Sequence, residues 1–444
     1  VRIVSLNSYG KIKMLNLPDK LNRLEKESQS IKVGIIGVGQ MGAGLAILLG
    51  RIKGMNLSLL ADVKIEKAIS IFEEMGIAKK KIFFSNDPFQ CNRALENGKK
   101  VVTSEAKIVP YISYLDVIVD STGVPEVGAR VAFDSIRCGK DIIMMNVEAD
   151  VTVGCLLADL AKSSKVIYTV GAGDEPGAIK EIYDFASALG FRIVAAGKGK
   201  NNPLNHEATP KTLKQEALKR GVSPKMLTEF VDGSKTMIEM SCVANATGLV
   251  PDIRGMHGPE CRLTNLPSVF ALKENGGILN KEGVVDYALG NIAPGVFVVV
   301  STDNDWIKKD LEYLRMGPGP NYLLYRPYHL TNIEIPLSIA RAVIYREPTI
   351  TSLGKPVAET ITVAKRNLTP GTKLDGIGGF DVYGSIEKSS IARKENLLPL
   401  GLSKGAVMRK SAKKGEYITY HQVELNDDSF LVNLRKLQDS TFPL

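Results

Sequence analysis

The 444-residue chain reads as an α/β protein: an N-terminal parallel sheet, a central α+β substrate and dimerisation domain, and a small β-rich C-terminal domain. Three observations predict this. Ile31 to Gly44, I-K-V-G-I-I-G-V-G-Q-M-G-A-G, runs from a β-branched apolar strand through a glycine turn into a helix. From Ile31 to about Gly173, apolar runs alternate with helical segments, the rhythm of crossover connections between parallel strands. After roughly Pro348 the texture changes to basic stretches, glycine turns and strand-like pieces. The expected divisions are therefore an extension over 1–30, then domains over 31–173, 174–347 and 348–444.

Within the extension, Leu17 to Leu24 begins an amphipathic helix with Pro18 in its first turn. Val1 suggests a non-AUG start codon, Met14 is an alternative start, and no function is expected there.

Gly37, Gly39 and Gly42 occupy the three places of the dinucleotide fingerprint. The first allows the sharp turn, the second lets a pyrophosphate approach bare backbone, and the third lets the new helix pack against its strand. That helix starts near Gln40 and Met41 and points free N–H groups at the phosphates. Asp62 follows twenty residues after Gly42, at the end of the run Leu57 to Ala61, where a carboxylate can hold a ribose. The N-terminal domain is thus expected to be of Rossmann type. Asp62 favours NAD, whereas Lys64 offers a counter-charge to the 2′-phosphate of NADP, so either cofactor fits.

The next expected strand, Leu115 to Val119, leads into D-S-T-G-V-P-E, whose Ser121, Thr122 and Gly123 are expected along the dinucleotide. Gly139 caps a helix before another strand, and Asn146 and Glu148 fall just past that strand's C-terminal end, the position where open α/β sheets place ligands. Val166 to Val170 feeds the turn Gly171 to Ala178, with carboxylates Asp174 and Glu175.

In the central region, a helix over Ala178 to Leu189 and a strand over Phe191 to Ala196 precede G-K-G-K-N-N-P. Lys198, Lys200 and Asn201 read there as donors on a flexible turn, suited to a carboxylate or phosphate. A helix is expected from near Asp232, with Lys235 and Glu239 four apart on one face and Asn245 further along. Lys235 is the candidate acid or hydrogen-bond donor to the substrate oxygen, with Glu239 and Asp232 orienting it, and Lys198 or Lys200 of the G-K-G-K segment is the competing acid. The rigid G-P-G-P turn gathers Arg326, a candidate anion clamp, and His329, which reads equally as a ligand or a core histidine.

Composition narrows the classes. Apolar residues at 44% and charged residues at 24% are those of a folded protein. Five scattered cysteines and four histidines offer no disulfide framework or zinc motif and suit a reducing cytoplasm. No run has membrane-span length, and the net charge of +9 comes without nucleic-acid signatures. A small-molecule substrate and a homo-oligomer are the expected partners.

Four motifs, N-V-E-A-D-V (Asn146 to Val151), G-A-G-D-E-P-G-A, F-V-D-G-S-K and Y-R-P-Y-H-L, carry a family resemblance. With A-K-R-N-L-T-P-G at Ala364 to Gly371, they resemble homoserine-dehydrogenase-like oxidoreductases carrying a C-terminal SAF domain, a β-clip-like module. That family is similar to 1-deoxy-D-xylulose-5-phosphate reductoisomerase-like enzymes. The resemblance implies an NAD(P)-dependent oxidoreductase acting on a polar, anionic carbonyl or alcohol, and it implicates Lys198, Lys200 and Arg326 around a phosphorylated substrate. D-G-S-K departs from the homoserine dehydrogenase segment, which weighs against homoserine. A reductoisomerase would add a divalent metal, with Glu148, Asp174 and Glu175 as possible ligands. The non-enzyme alternative is a dinucleotide-sensing regulator.

Overall fold

The computed structural model describes residues 16–443. The N-terminal unit runs α1 (Leu17–Lys26), β1 (Ile31–Ile36), α2 (Gln40–Leu49), β2 (Met55–Ala61), α3 (Ile65–Glu74), β3 (Ile82–Phe84), α4 (Pro88–Glu96) and β4 (Lys100–Thr103). It continues through β5 (Val117–Asp120), α5 (Pro125–Arg137), β6 (Asp141–Met144), α6 (Val147–Ser164) and β7 (Tyr168–Val170). The seven strands form one parallel sheet in the order β3-β4-β2-β1-β5-β6-β7. Strand order reverses between β1 and β5, so the crevice at their carboxyl ends is the switch point where such sheets bind ligands. The amphipathic α1 forms as its spacing predicts, while Val1 and Met14 lie outside the described residues.

The central unit comprises α7 (Glu175–Ala188), β8 (Arg192–Lys200), α8 (Lys214–Arg220), α9 (Pro224–Val231), α10 (Ser234–Thr247), β9 (Val250–Pro251) and α11 (Leu266–Val269). It ends with β10 (Val284–Leu289), β11 (Val296–Ser301), α12 (Asp305–Tyr313), β12 (Asn321–Arg326) and α13 (Thr331–Ala340). Its mixed sheet has the order β12-β11-β8-β10-β9. The last helix returns to the first unit: Ile335 and Ile339 of α13 bury in the same core as Leu45 and Leu49 of α2.

The C-terminal segment adds β13 (Ala358–Ala364), β14 (Val382–Lys388), α14 (Ser389–Lys394), β15 (Val407–Met408), β16 (Val423–Glu424) and α15 (Phe430–Thr441). Its two basic stretches pair with each other: Leu368 and Ala412 exchange backbone hydrogen bonds of 2.8 and 3.0 Å. The segment does not stand apart. Glu126 on α5 accepts Phe430 N–H at 2.7 Å and Ser429 Oγ–H at 2.6 Å, capping α15. Farther along α15, Arg435 makes a buried two-point ion pair with Glu359 of β13. No helix among the described residues is long and apolar enough to cross a membrane.

Candidate functional site

A cleft of about 1550 Å³ opens at the β1/β5 switch point, and all three units line it. It is larger than the usual single-ligand pocket.

The glycine turn forms its first wall. Gly37 has φ +90°, and a Cβ there would stand 2.9 Å from Ser121 backbone. A Cβ on Gly42 would meet the Gly37 carbonyl oxygen at 2.1 Å, so the helix packs on the turn only because residue 42 has no side chain. Gly39, by contrast, has nothing within 4 Å of its Cβ position and faces the cleft with Gln40 and Met41 at the start of α2. That bare backbone at a helix N-terminus fits a pyrophosphate. Asp62 lies over the turn, its two oxygens accepting Val38 N–H at 2.6 Å and Lys64 N–H at 2.8 Å. Lys64 itself is exposed and outside the cleft lining, while Lys67, one turn into α3, lines it. Of these two lysines only Lys67, inside α3, lines the cleft, whereas Lys64 is the residue that precedes the helix.

The β5 loop forms the second wall. Ser121 Oγ donates to the Gly37 carbonyl at 2.6 Å and holds the turn. Thr122 Oγ donates to Asp120 Oδ1 at 2.7 Å, and Gly123 presents open backbone to the cleft. Asn146, expected along the cofactor, does not line the cleft. It is fully buried as the α6 N-cap, and its Nδ2 donates to Asp120 at 3.0 Å and to the Val124 carbonyl at 3.0 Å. It shapes this loop from behind.

Glu148, Asp174, Glu175, Glu229, Lys235, Glu239 and His329 line the cleft floor. Lys235 Nζ donates to Glu148 Oε1 at 2.8 Å. The expected Lys235–Glu239 pair does not form: Glu239 accepts instead from Lys198, which also donates to Glu175 at 2.5 Å. The G-K-G-K turn is the reason. It is not a loop but the end of β8, between β10 and β11, and its alternation sends Lys198 inward. Gly197 and Gly199 lack side chains because a Cβ would meet Asp286 O at 2.1 Å and Ala293 N at 2.2 Å.

Five carboxylates against two lysines leave an acidic excess in a buried place. Burial and the nearby Glu175 push Asp174 up to about 7, against the pull of Lys235. Burial and Glu175 likewise push Glu239 up to about 8. Burial and the neighbouring Glu148 raise Glu229 well above the carboxylate range. The surrounding carboxylates, Glu148 foremost, outweigh burial and hold the Lys235 proton more tightly than in a free lysine. Asp174, Glu175 and Glu239 each offer an oxygen within 4.8 Å of the others, a hard-donor set that fits a divalent cation. The set differs from the expected one, with Glu239 in place of Glu148, which Lys235 occupies.

Other expected site residues have different work. Asp232 ends α9, one residue before the Gly233 cap of α10, and binds buried Lys365 at 2.7 Å, tying the C-terminal segment down. Lys200 donates to the Phe230 carbonyl at 2.8 Å, and its burial, with Lys198 nearby, lowers it to about 8. Asn245 accepts Val357 N–H at 2.7 Å and Ala358 N–H at 3.0 Å, fixing the start of β13. Arg326 is spent on Glu334 at 2.5 Å and Glu181 at 3.0 Å, so it is no free clamp. Asn201 is exposed and outside the cleft lining. His329 stays at the site: Nδ1 faces the Pro294 carbonyl at 2.7 Å and Nε2 lies 3.5 Å from Glu175. Glu229 was not expected. Its Oε1 is buried without a hydrogen-bond partner, and its place four residues beyond Lys225 on α9 was the available signal.

No curated protein matches the chain. Among solved structures it is similar to a probable dehydrogenase from Thermotoga maritima, at 12% identity over 72% of this chain and 90% of that one, TM-score 0.41. It is also similar to scyllo-inositol dehydrogenase from Lactobacillus casei with bound NAD(H) and scyllo-inositol, at 12% identity over 67% and 76%, TM-score 0.38. A third is 1-deoxy-D-xylulose 5-phosphate reductoisomerase from Zymomonas mobilis in complex with NADPH, at 18% identity over 47% and 58%, TM-score 0.33. The segment holding Asp174, Glu175, Lys198, Lys235 and Glu239 does have a family counterpart: residues 173–335 match the model described as oxidoreductase DRL, catalytic domain.

Proposed function

We propose that the protein is an NAD(P)-dependent oxidoreductase acting on a small polar carbonyl or alcohol that carries an anionic group, phosphate or sugar-acid carboxylate. One observation carries the reading: the bare glycine turn and the buried acid–lysine cluster line a single cleft. The nicotinamide, when bound, supplies or accepts the hydride. Lys235, kept charged by its carboxylate neighbours, is placed to stabilise negative charge on the substrate oxygen. A proton held that tightly is poorly matched to transfer near neutrality, whereas Asp174, at about 7, is well matched to give or take it. Glu148 orients the Lys235 ammonium, and Lys198 keeps Glu175 ionised.

The cluster of Asp174, Glu175 and Glu239 favours a second reading, a reductoisomerase-like enzyme in which those three residues would hold a divalent cation acting as Lewis acid. Lys198, which donates to two of them, would then have to yield. We also propose that residues 348–444 are an SAF-type module, that 31–173 and 174–347 are the cofactor and catalytic domains, and that the chain is a cytoplasmic homo-oligomer.

The test is a titration of the full chain with NADH and NADPH, then turnover assays on polyols, homoserine, sugar acids and phosphorylated sugars, with and without Mn²⁺. Binding plus turnover on one class supports the proposal. Binding without turnover on any class points to the sensor, and no binding overturns both.

A further inference from the structure

The cleft has a third wall that neither the glycine turn nor the acid–lysine floor uses. Lys225 of α9 and Lys373 and Lys404 of the C-terminal segment line it, all three exposed. A glycine turn draws them together. A Cβ on Gly378 would stand 2.4 Å from the Lys225 carbonyl oxygen, and one on Gly376 would stand 2.8 Å from Lys404 Cβ. Both glycines have positive φ, +66° at Gly378 and +81° at Gly376, so the turn lies close to both lysines as only glycine allows. Lys373 joins them from the other side, its Cε 3.9 Å from the Cβ position of Gly405.

Among the described residues, none of the three makes an ion pair, unlike nearby Lys365 with Asp232 and Lys414 with Glu207. Three further carboxylates line the cleft. Asp375 is committed to Phe380 and Asp381 backbone N–H groups at 2.5 and 3.2 Å, and Glu126 caps α15. Asp428 is exposed.

Helix α9 sets the spacing to the reaction floor. Lys225 and Glu229 are four apart, hence on one face and about 6 Å apart along the axis. Glu229 faces Glu148 and Lys235. The free lysines thus begin roughly one helical turn from the candidate chemistry. The dinucleotide phosphates have their own donors at the start of α2.

We propose that Lys225, Lys373 and Lys404 form the subsite for the anionic group of the substrate, so the C-terminal segment completes the active site. This rests on the oxidoreductase reading of the cleft. The substrate class it defines is a short hydroxy or carbonyl compound with a phosphate or carboxylate a few bonds from the reacting carbon.

Calorimetry on the full chain tests it, titrating inorganic phosphate and, separately, acetate into protein saturated with NADH. At least one anion should bind, and Lys373→Ser/Lys404→Ser should weaken it at least about tenfold while NADH and NADPH affinities stay within about twofold. Phosphate binding the tighter assigns a phosphorylated substrate, and acetate a sugar acid; either supports the subsite. Lys373→Arg/Lys404→Arg should retain binding. The proposal is overturned by absent anion binding in the parent protein, undiminished binding in the serine pair, or equal loss in the arginine pair. A loss confined to NADPH would give the lysines to the cofactor 2′-phosphate and overturn it too. If NADH does not bind the parent protein, the oxidoreductase reading fails, and the anion titrations without NADH still judge the lysines.

Discussion

Lys235 reaches Glu148 across 2.8 Å, joining the first turn of α10 to the first turn of α6, 87 residues away. The pair carries the proposed chemistry, and Lys235→Met removes its charge with little change in volume. The expected result is a fall in kcat of about a hundredfold or more with dinucleotide Kd unchanged, since a positioned oxyanion donor is worth that much. A variant with near-full activity would return the role to Lys198.

Gly39 and Gly42 separate binding from folding. Gly39→Val places its side chain in open cleft space and should abolish NAD(P)H binding while Tm moves by only a few degrees. Gly42→Ala drives a methyl group into the Gly37 carbonyl and should lower Tm as well as affinity. Undiminished binding by Gly39→Val in calorimetry would remove this turn from the cofactor site.

Lys67 rather than Lys64 faces the cleft. Lys67→Ala should weaken NADPH several-fold more than NADH, and Lys64→Ala should leave both affinities in place. Equal effects of Lys67→Ala on both cofactors would show that no 2′-phosphate is read there.

Stability should fall as pH rises through neutrality in metal-free buffer. Burial raises Asp150 and Asp286 to about 6, Asp174 to about 7 and Glu239 to about 8. The folded chain therefore holds more protons than the unfolded one from about pH 4 up to those values, and the stability slope is negative there. Glu148 and Glu175 are shifted downward, so their contribution is lost only on acidification below the ordinary carboxylate range. Thermal unfolding with EDTA should show Tm falling between about pH 5 and about pH 8, and Mn²⁺ should raise Tm and flatten the slope. A flat profile in EDTA would mean that these carboxylates are solvated.

The glycine turn, its strand and its following helix were legible in the sequence because their causes are local: β-branched residues, then three glycines at fixed spacing. The partners of the site lysines were not. Lys235 and Glu239 share a helix face, which suggests a pair, yet β8 delivers Lys198 to Glu239 from 41 positions away. Reading G-K-G-K as a turn weighed glycine's local preference against strands. The close approach of Asp286 and Ala293, which makes glycine necessary inside that strand, exists only in the folded sheet. Asn146, Asn245 and Arg326 look like ligand donors in isolation, and all are spent on loops or carboxylates that the fold brings to them.

The Glu126 cap on α15 has a consequence for how the cleft is closed. The cleft is lined from Gly39 to Val432, so its surface is closed only once α15 has docked on Glu126. The glycine turn comes from residues near position 40, whereas Lys404 and α15 reach the same cleft from more than 350 positions further along the chain. Proteolytic nicking before α15 would leave the glycine turn in place and open the cleft on the side that Leu431 and Val432 line. Modular recombination of the N-terminal unit with a foreign partner would fail for the same reason, because no single unit contains the site.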